Sequence, residues 1–61
     1  MINDSYKVEF RMFGGFHIYG YADTLSEALA LDEKCKAEGW LYRKISHYDE
    51  DSGNWIVLQE T

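Results

Sequence analysis

Residues 24–39 read Thr-Leu-Ser-Glu-Ala-Leu-Ala-Leu-Asp-Glu-Lys-Cys-Lys-Ala-Glu-Gly, and this stretch decides the fold. Thr24 followed by Glu27 is a capping-box pattern, in which the Thr24 hydroxyl accepts from the Glu27 backbone N–H and the Glu27 side chain reaches back. Leu25, Ala28, Leu29, Leu31 and Cys35 recur at helical spacing, with Ser26, Ala30, Glu33, Lys34 and Ala37 opposite them. That is an amphipathic helix resting on an apolar surface. Gly39 supplies the left-handed residue that closes it. Asp32 breaks the pattern, because its angular position falls at the edge of the apolar stripe. An i, i+4 pair with Lys36 is one way to satisfy its carboxylate.

The segments on either side of the helix carry strand patterns. Tyr6, Val8, Phe10 and Met12 alternate with Lys7, Glu9 and Arg11, the signature of a half-buried strand. Residues 16–22 alternate again, Phe16, Ile18, Gly20 and Ala22 against His17, Tyr19 and Tyr21. Between the two, a three-residue loop Phe13-Gly14-Gly15 sets Met12 opposite Phe16 and gathers the small and aliphatic residues on one face. A two-residue loop Gly14-Gly15 would align the faces differently. The three-residue loop is preferred, and it predicts an outer face of Lys7, Glu9, Arg11, His17, Tyr19 and Tyr21.

Beyond the helix, residues 40–48 and 54–59 read as a second hairpin joined by the turn formers Asp49-Glu50-Asp51-Ser52-Gly53. Leu41, Ile45, Ile56 and Leu58 are expected to point at the helix, and Tyr42, Lys44, Ser46, Tyr48, Trp55 and Val57 outward. Arg43 and His47 then have inward parity. Two polar residues that break two apolar patterns satisfy each other most economically, which pairs Arg43 with Asp32 at the core edge. The predicted class is α+β, in the order β-β-α-β-β. Its sheet is a single antiparallel layer of strand order 2-1-3-4 with the helix on one face.

With 61 residues, 46% hydrophobic and 16% aromatic content and no proline, the chain reads as one globular domain (residues 1–61) despite its net charge of −5. No apolar run approaches the roughly 20 residues of a membrane span, and residues 1–5 lack the basic and apolar regions of a signal peptide. The expected location is cytoplasmic. The single cysteine rules out an internal disulfide framework, and on the apolar stripe of the helix Cys35 reads as a buried, inert thiol.

No chemistry-bearing constellation emerges. Asp49, Asp51, Gly53 and Glu60 resemble a calcium loop in outline. Gly53, however, sits one place early, and Trp55, Val57 and Leu58 read as strand. His17, His47 and Cys35 do not share a face on which a tetrahedral metal site could form. A nucleophile beside a base, or a carboxylate pair in a cleft, is likewise missing. Gly14-Gly15 lies between two strands, where no helix N-terminus follows to cradle a phosphate. The expectation is therefore a protein without enzymatic activity, metal or cofactor.

The predicted outer sheet face is aromatic: Tyr19, Tyr21, Tyr42, Tyr48 and Trp55, with His17 among them and Arg11 and Lys44 near. Such a face suits a protein partner, since Tyr, Trp and Arg dominate interface energies. Two other occupants fit as well, a second copy giving a homodimer and single-stranded nucleic acid stacked on the rings. Eleven acids against six bases disfavour nucleic acid, which calls for a positive footprint. Asp49, Glu50 and Asp51 in one turn, with Asp23, Glu27, Glu33 and Glu38 along the helix, form an acidic rim. It suits a basic surface, including one that otherwise holds nucleic acid. In style the chain resembles the small acidic inhibitors and adaptors encoded by phages and mobile elements. The functional expectation is a small protein-binding module of that kind, with a homodimeric assembly component as its alternative.

Overall fold

The computed structural model describes residues 5–61. The segment 1–4, which carries most of the sequence examined above for a signal peptide, lies outside the described residues. Four strands, β1 (Tyr6–Met12), β2 (Gly15–Ala22), β3 (Arg43–Asp49) and β4 (Asn54–Glu60), and one helix, α1 (Leu25–Ala37), follow in the order β-β-α-β-β. The strands form one open antiparallel sheet in the order β2-β1-β3-β4, as expected. β2 and β3 thus flank β1 and run the same way, and α1 crosses over β1 to join them.

The helix starts where the sequence says it should, with the Thr24 hydroxyl accepting from the Glu27 N–H at 3.2 Å. It ends at Glu38, with Gly39 at φ +102°. The buried stripe differs from the expected one. It consists of Ala28, Asp32 and Cys35, with Leu31 half-buried beside them, while Leu25 and Leu29 stay exposed. Small residues line the contact of the helix with the sheet, and Gly20 faces Leu31, whose Cδ1 would stand 3.3 Å from a Cβ placed there. The core is correspondingly small: Val8, Ala22, Ala28 and Ile45, with Tyr6, Tyr19 and Leu31 packed around them.

Asp32 and Arg43 meet as the patterns require. Arg43 Nε donates to Asp32 Oδ1 at 2.8 Å, and the two residues are only 5% and 4% exposed. The partner of Asp32 is therefore Arg43 on β3, not Lys36 on its own helix. A second guanidinium nitrogen of Arg43 donates to the carbonyls of Trp40 (2.8 Å) and Leu41 (3.2 Å). Those bonds hold residues 40–42 in an irregular turn, so β3 begins at Arg43 instead of Trp40 and Leu41 is 71% exposed instead of facing the helix.

At its open end the first hairpin keeps the register expected of the three-residue loop, pairing Tyr6 with Ala22, Lys7 with Tyr21 and Val8 with Gly20, but near the turn it follows neither expected register. Its loop is Phe13-Gly14, with Met12 paired to Gly15, Arg11 to Phe16 and Phe10 to His17. Gly14 takes φ +89° as the second central residue while Phe13 keeps a negative φ, the pattern of a type II turn. A bulge then leaves Tyr19 without a partner between Ile18 (opposite Glu9) and Gly20 (opposite Val8). Because paired residues share a face, His17 joins Phe10 on the helix side, and Phe16, Ile18 and Tyr21 join Arg11, Glu9 and Lys7 on the outer side. A helix about 10 Å across spans about three strands at 4.8 Å spacing. It packs on β1, β2 and β3 and leaves β4 uncovered, so Ile56 and Leu58 remain about half exposed instead of buried beneath it.

Candidate functional site

The open face of the sheet carries two aromatic groups joined through charges. Trp55 on β4 lies 5.2 Å from Tyr48 on β3 and 6.3 Å from Tyr21 on β2, centroid to centroid. Lys7 on β1 places its ammonium 4.6 Å over the Trp55 ring, and Lys44 on β3 places its own 4.3 Å over Phe16. Glu9, only 9% exposed, sits between the two lysines, 3.6 Å from Lys7 and 4.0 Å from Lys44. A cation over a ring face is attracted by the ring quadrupole, and the lysine stems cover apolar surface. The face thus has a polar midline of Lys7, Glu9 and Lys44, bounded by Tyr21, Trp55 and Tyr48 on one side and by Phe16 on the other. Ile18 and Val57 complete it, each about half exposed.

The expected site residues fall into four groups. Tyr21, Tyr48 and Trp55 come together on the open face, and Arg11 shares it by alternation with Glu9. His17 and Tyr19 do not: the loop register turns them to the helix side, where Phe10 lies 6.1 Å from each ring. Tyr42, exposed in the irregular turn, accepts through its carbonyl from the Arg11 N–H at 2.9 Å. It lines an open cleft of about 880 Å³ with Arg11, Trp40 and the hairpin tip, where Phe13 is fully exposed. Asp49, Glu50 and Asp51 lie in and beside the β3–β4 turn. There the Asp49 carboxylate accepts from the Ser52 hydroxyl at 2.7 Å, which holds its pKa below the usual value.

Phe16 and Ile18 gain a weight in this face that the alternation of residues 16–22 concealed, beside Lys7 and Glu9, which lie on it as expected. The available signal was Gly20, since a glycine inside a strand pattern marks a bulge and a change of parity. On the helix side, His47 has the inward parity expected of it. Its ring lies 4.7 Å from Tyr6, and its Nδ1 is 3.1 Å from the Ser5 carbonyl.

Tyr19 has a structural role there. Its hydroxyl donates to both carboxylate oxygens of Glu38, at 2.8 and 2.7 Å, tying β2 to the end of the helix. That bond, with some desolvation and the carboxylate charge, pushes the phenol up to about 12. A group whose folded pKa is raised holds its proton more tightly when folded, so its contribution is complete below about pH 10 and is lost as pH rises toward 12. The denaturation midpoint of the wild type should therefore fall more steeply between pH 10 and 12 than that of Tyr19→Phe. Equal slopes would show that the bond does not form in solution.

Cys35 is fully buried, and burial is the main cause that raises its pKa. The thiol stays protonated and unreactive at neutral pH. Among the described residues, no group of three or more His, Cys, Asp or Glu is placed to hold a metal ion, and no helix is long and apolar enough to cross a membrane. Compared with known proteins, the chain matches no family, no curated protein and no solved structure.

Proposed function

We propose that the chain is a non-enzymatic binding module that engages another protein through the open face of its sheet, steered there by its acidic residues. The observation that supports this reading is that, among the described residues, no second layer lies over Tyr21, Tyr48, Trp55, Phe16, Ile18 and Val57. Tyrosine and tryptophan supply large contact areas at low entropic cost, and the long lysine stems swing aside without breaking the sheet. The net charge of −5, with acids in the β3–β4 turn and along the helix, selects a partner with a basic surface. A surface that otherwise holds nucleic acid has that character, and covering it would make the chain an inhibitor.

The test is capture of partners from source-cell lysate with immobilised wild-type protein and with Ile18→Ala/Tyr21→Ala, at low and high salt. Both residues sit about half exposed on β2, so the double variant should keep its fold by circular dichroism and lose the partner. Retention by the wild type should fall with salt, because exposed charges act over only about 10 Å at 0.1 M. A variant that retains the partner would remove the open face from the interface. A salt-insensitive dimer with no partner would replace this reading with self-association.

A further inference from the structure

The strand least protected in this fold is β4. Among the described residues it is an edge strand, with β3 on one flank and no strand on the other. The helix does not reach it, and no described element covers the open face on the opposite side. Its centre, Trp55-Ile56-Val57-Leu58, is a continuous apolar run in which Ile56, Val57 and Leu58 are 47, 46 and 50% exposed. Proteins usually blunt such an edge with a lysine, a proline or a covering element. β4 has no lysine or proline; its one irregularity is a bulge at Leu58, opposite the step from Ile45 to Ser46, at the end of the apolar run. Leu25 and Leu29 share a helix face with Asp32 by their i, i+4 and i+7 spacing. Since Asp32 reaches Arg43 on β3, these two exposed leucines border the uncovered side of the sheet.

Charge indicates what pairs there. No Lys, Arg or His occurs from Asp49 to Thr61, whereas Asp49, Glu50 and Asp51 precede the apolar run and Glu60 follows it. An antiparallel second copy would bring the Glu60 end of each strand to the acidic turn of the other, and a parallel copy would set turn against turn. Both arrangements oppose like charges. We infer that the free edge of β4 takes up an extended segment of a partner protein, apolar at its centre and carrying Lys or Arg at both ends, as a fifth strand. Backbone hydrogen bonds would supply affinity, and the acids at the two ends of β4 would set selectivity and register. This inference rests on the reading of the chain as a protein-binding module and specifies the mode of binding.

The probe is a fluorescent peptide of about eight residues, alternating Val and Thr with two Lys at each end, followed by anisotropy and by amide exchange of the unlabelled complex. Binding should saturate, weaken about ten-fold or more between about 50 and about 500 mM NaCl, and slow exchange in β4. A peptide with Glu in place of Lys should bind at least about ten-fold more weakly. Val57→Lys, at a half-exposed position, should retain the fold and weaken the Lys peptide about ten-fold. Glu60→Lys should narrow the preference for the Lys peptide over the Glu peptide. Absence of binding, slowed exchange in β2 instead of β4, or an unchanged preference in Glu60→Lys would each overturn the inference, as would a β4-mediated dimer in sedimentation velocity. If the peptide fails while Ile18→Ala/Tyr21→Ala still abolishes partner capture, strand addition falls and the open-face reading stands. If capture survives that double variant and is lost in Ile56→Lys, whose half-exposed side chain lies on the helix side of β4 away from the open face, the open face falls and the edge stands.

Discussion

Replacing Arg43 by Met should cost about 3–5 kcal/mol, against a total of about 3–9 kcal/mol for a chain of this length. The change leaves the Asp32 carboxylate 4% exposed with its bonded partner gone. It also releases the carbonyls of Trp40 and Leu41 that set where β3 begins. Removing one partner of a buried pair is harsher than removing both, because the remaining charge keeps its desolvation cost. The double variant Asp32→Leu/Arg43→Met should therefore be more stable than Arg43→Met alone. Asp32→Asn, which keeps an acceptor for the guanidinium, should lose less than Arg43→Met. Denaturant midpoints of the wild type and the three variants test this order. A single-variant cost below about 1 kcal/mol would mean that the pair behaves as a surface ion pair and does not fasten the helix to the sheet.

Ile45→Ala should lose about 2–4 kcal/mol, lowering the melting temperature by roughly 4–8 °C for each kcal/mol. Ile45 is 1% exposed and pairs with Val8, itself fully buried. In a core this small its deletion leaves a void that few neighbours can fill. Ile56→Ala on β4 provides the contrast: with its side chain 47% exposed and no helix above it, the loss should stay near 1 kcal/mol. Similar losses at the two positions would mean that β4 is covered in solution, by a second copy or by a different seating of the helix.

The parts of this fold legible in the sequence are those written in several places at once. Thr24, Glu27 and Gly39 mark the two ends of the helix independently of its apolar pattern. The Asp32–Arg43 pair was visible because each residue broke a different periodicity, so one contact resolved two anomalies. The first hairpin was less legible because Phe13-Gly14-Gly15 permits several turns, and each choice moves whole faces. The shorter loop sent His17 and Tyr19 to the helix side and brought Phe16 and Ile18 to the open face, and the bulge at Tyr19 added a second inversion that returned Tyr21 to the open face. Leu25 and Leu29 were misplaced for a different reason: a helix that touches its sheet through Ala28 and Cys35 lies too close for leucines to occupy the centre of the contact. The extent of the helix relative to the sheet, which leaves β4 bare, is a matter of widths that periodicity does not record.

The strand order has a kinetic consequence. β1 with β2 and β3 with β4 are each closed by a short turn, whereas the β1–β3 seam joins residues as far apart as Tyr6 and His47. The chain is therefore two quickly formed hairpins whose registration across one central seam, with the helix as tether, sets the pace of folding. Val8, Ile45 and the Asp32–Arg43 pair all lie at that seam, so the Ile45→Ala variant should lose stability largely through slower refolding in stopped-flow experiments. If it instead unfolds faster at an unchanged folding rate, the seam closes after the rate-limiting step.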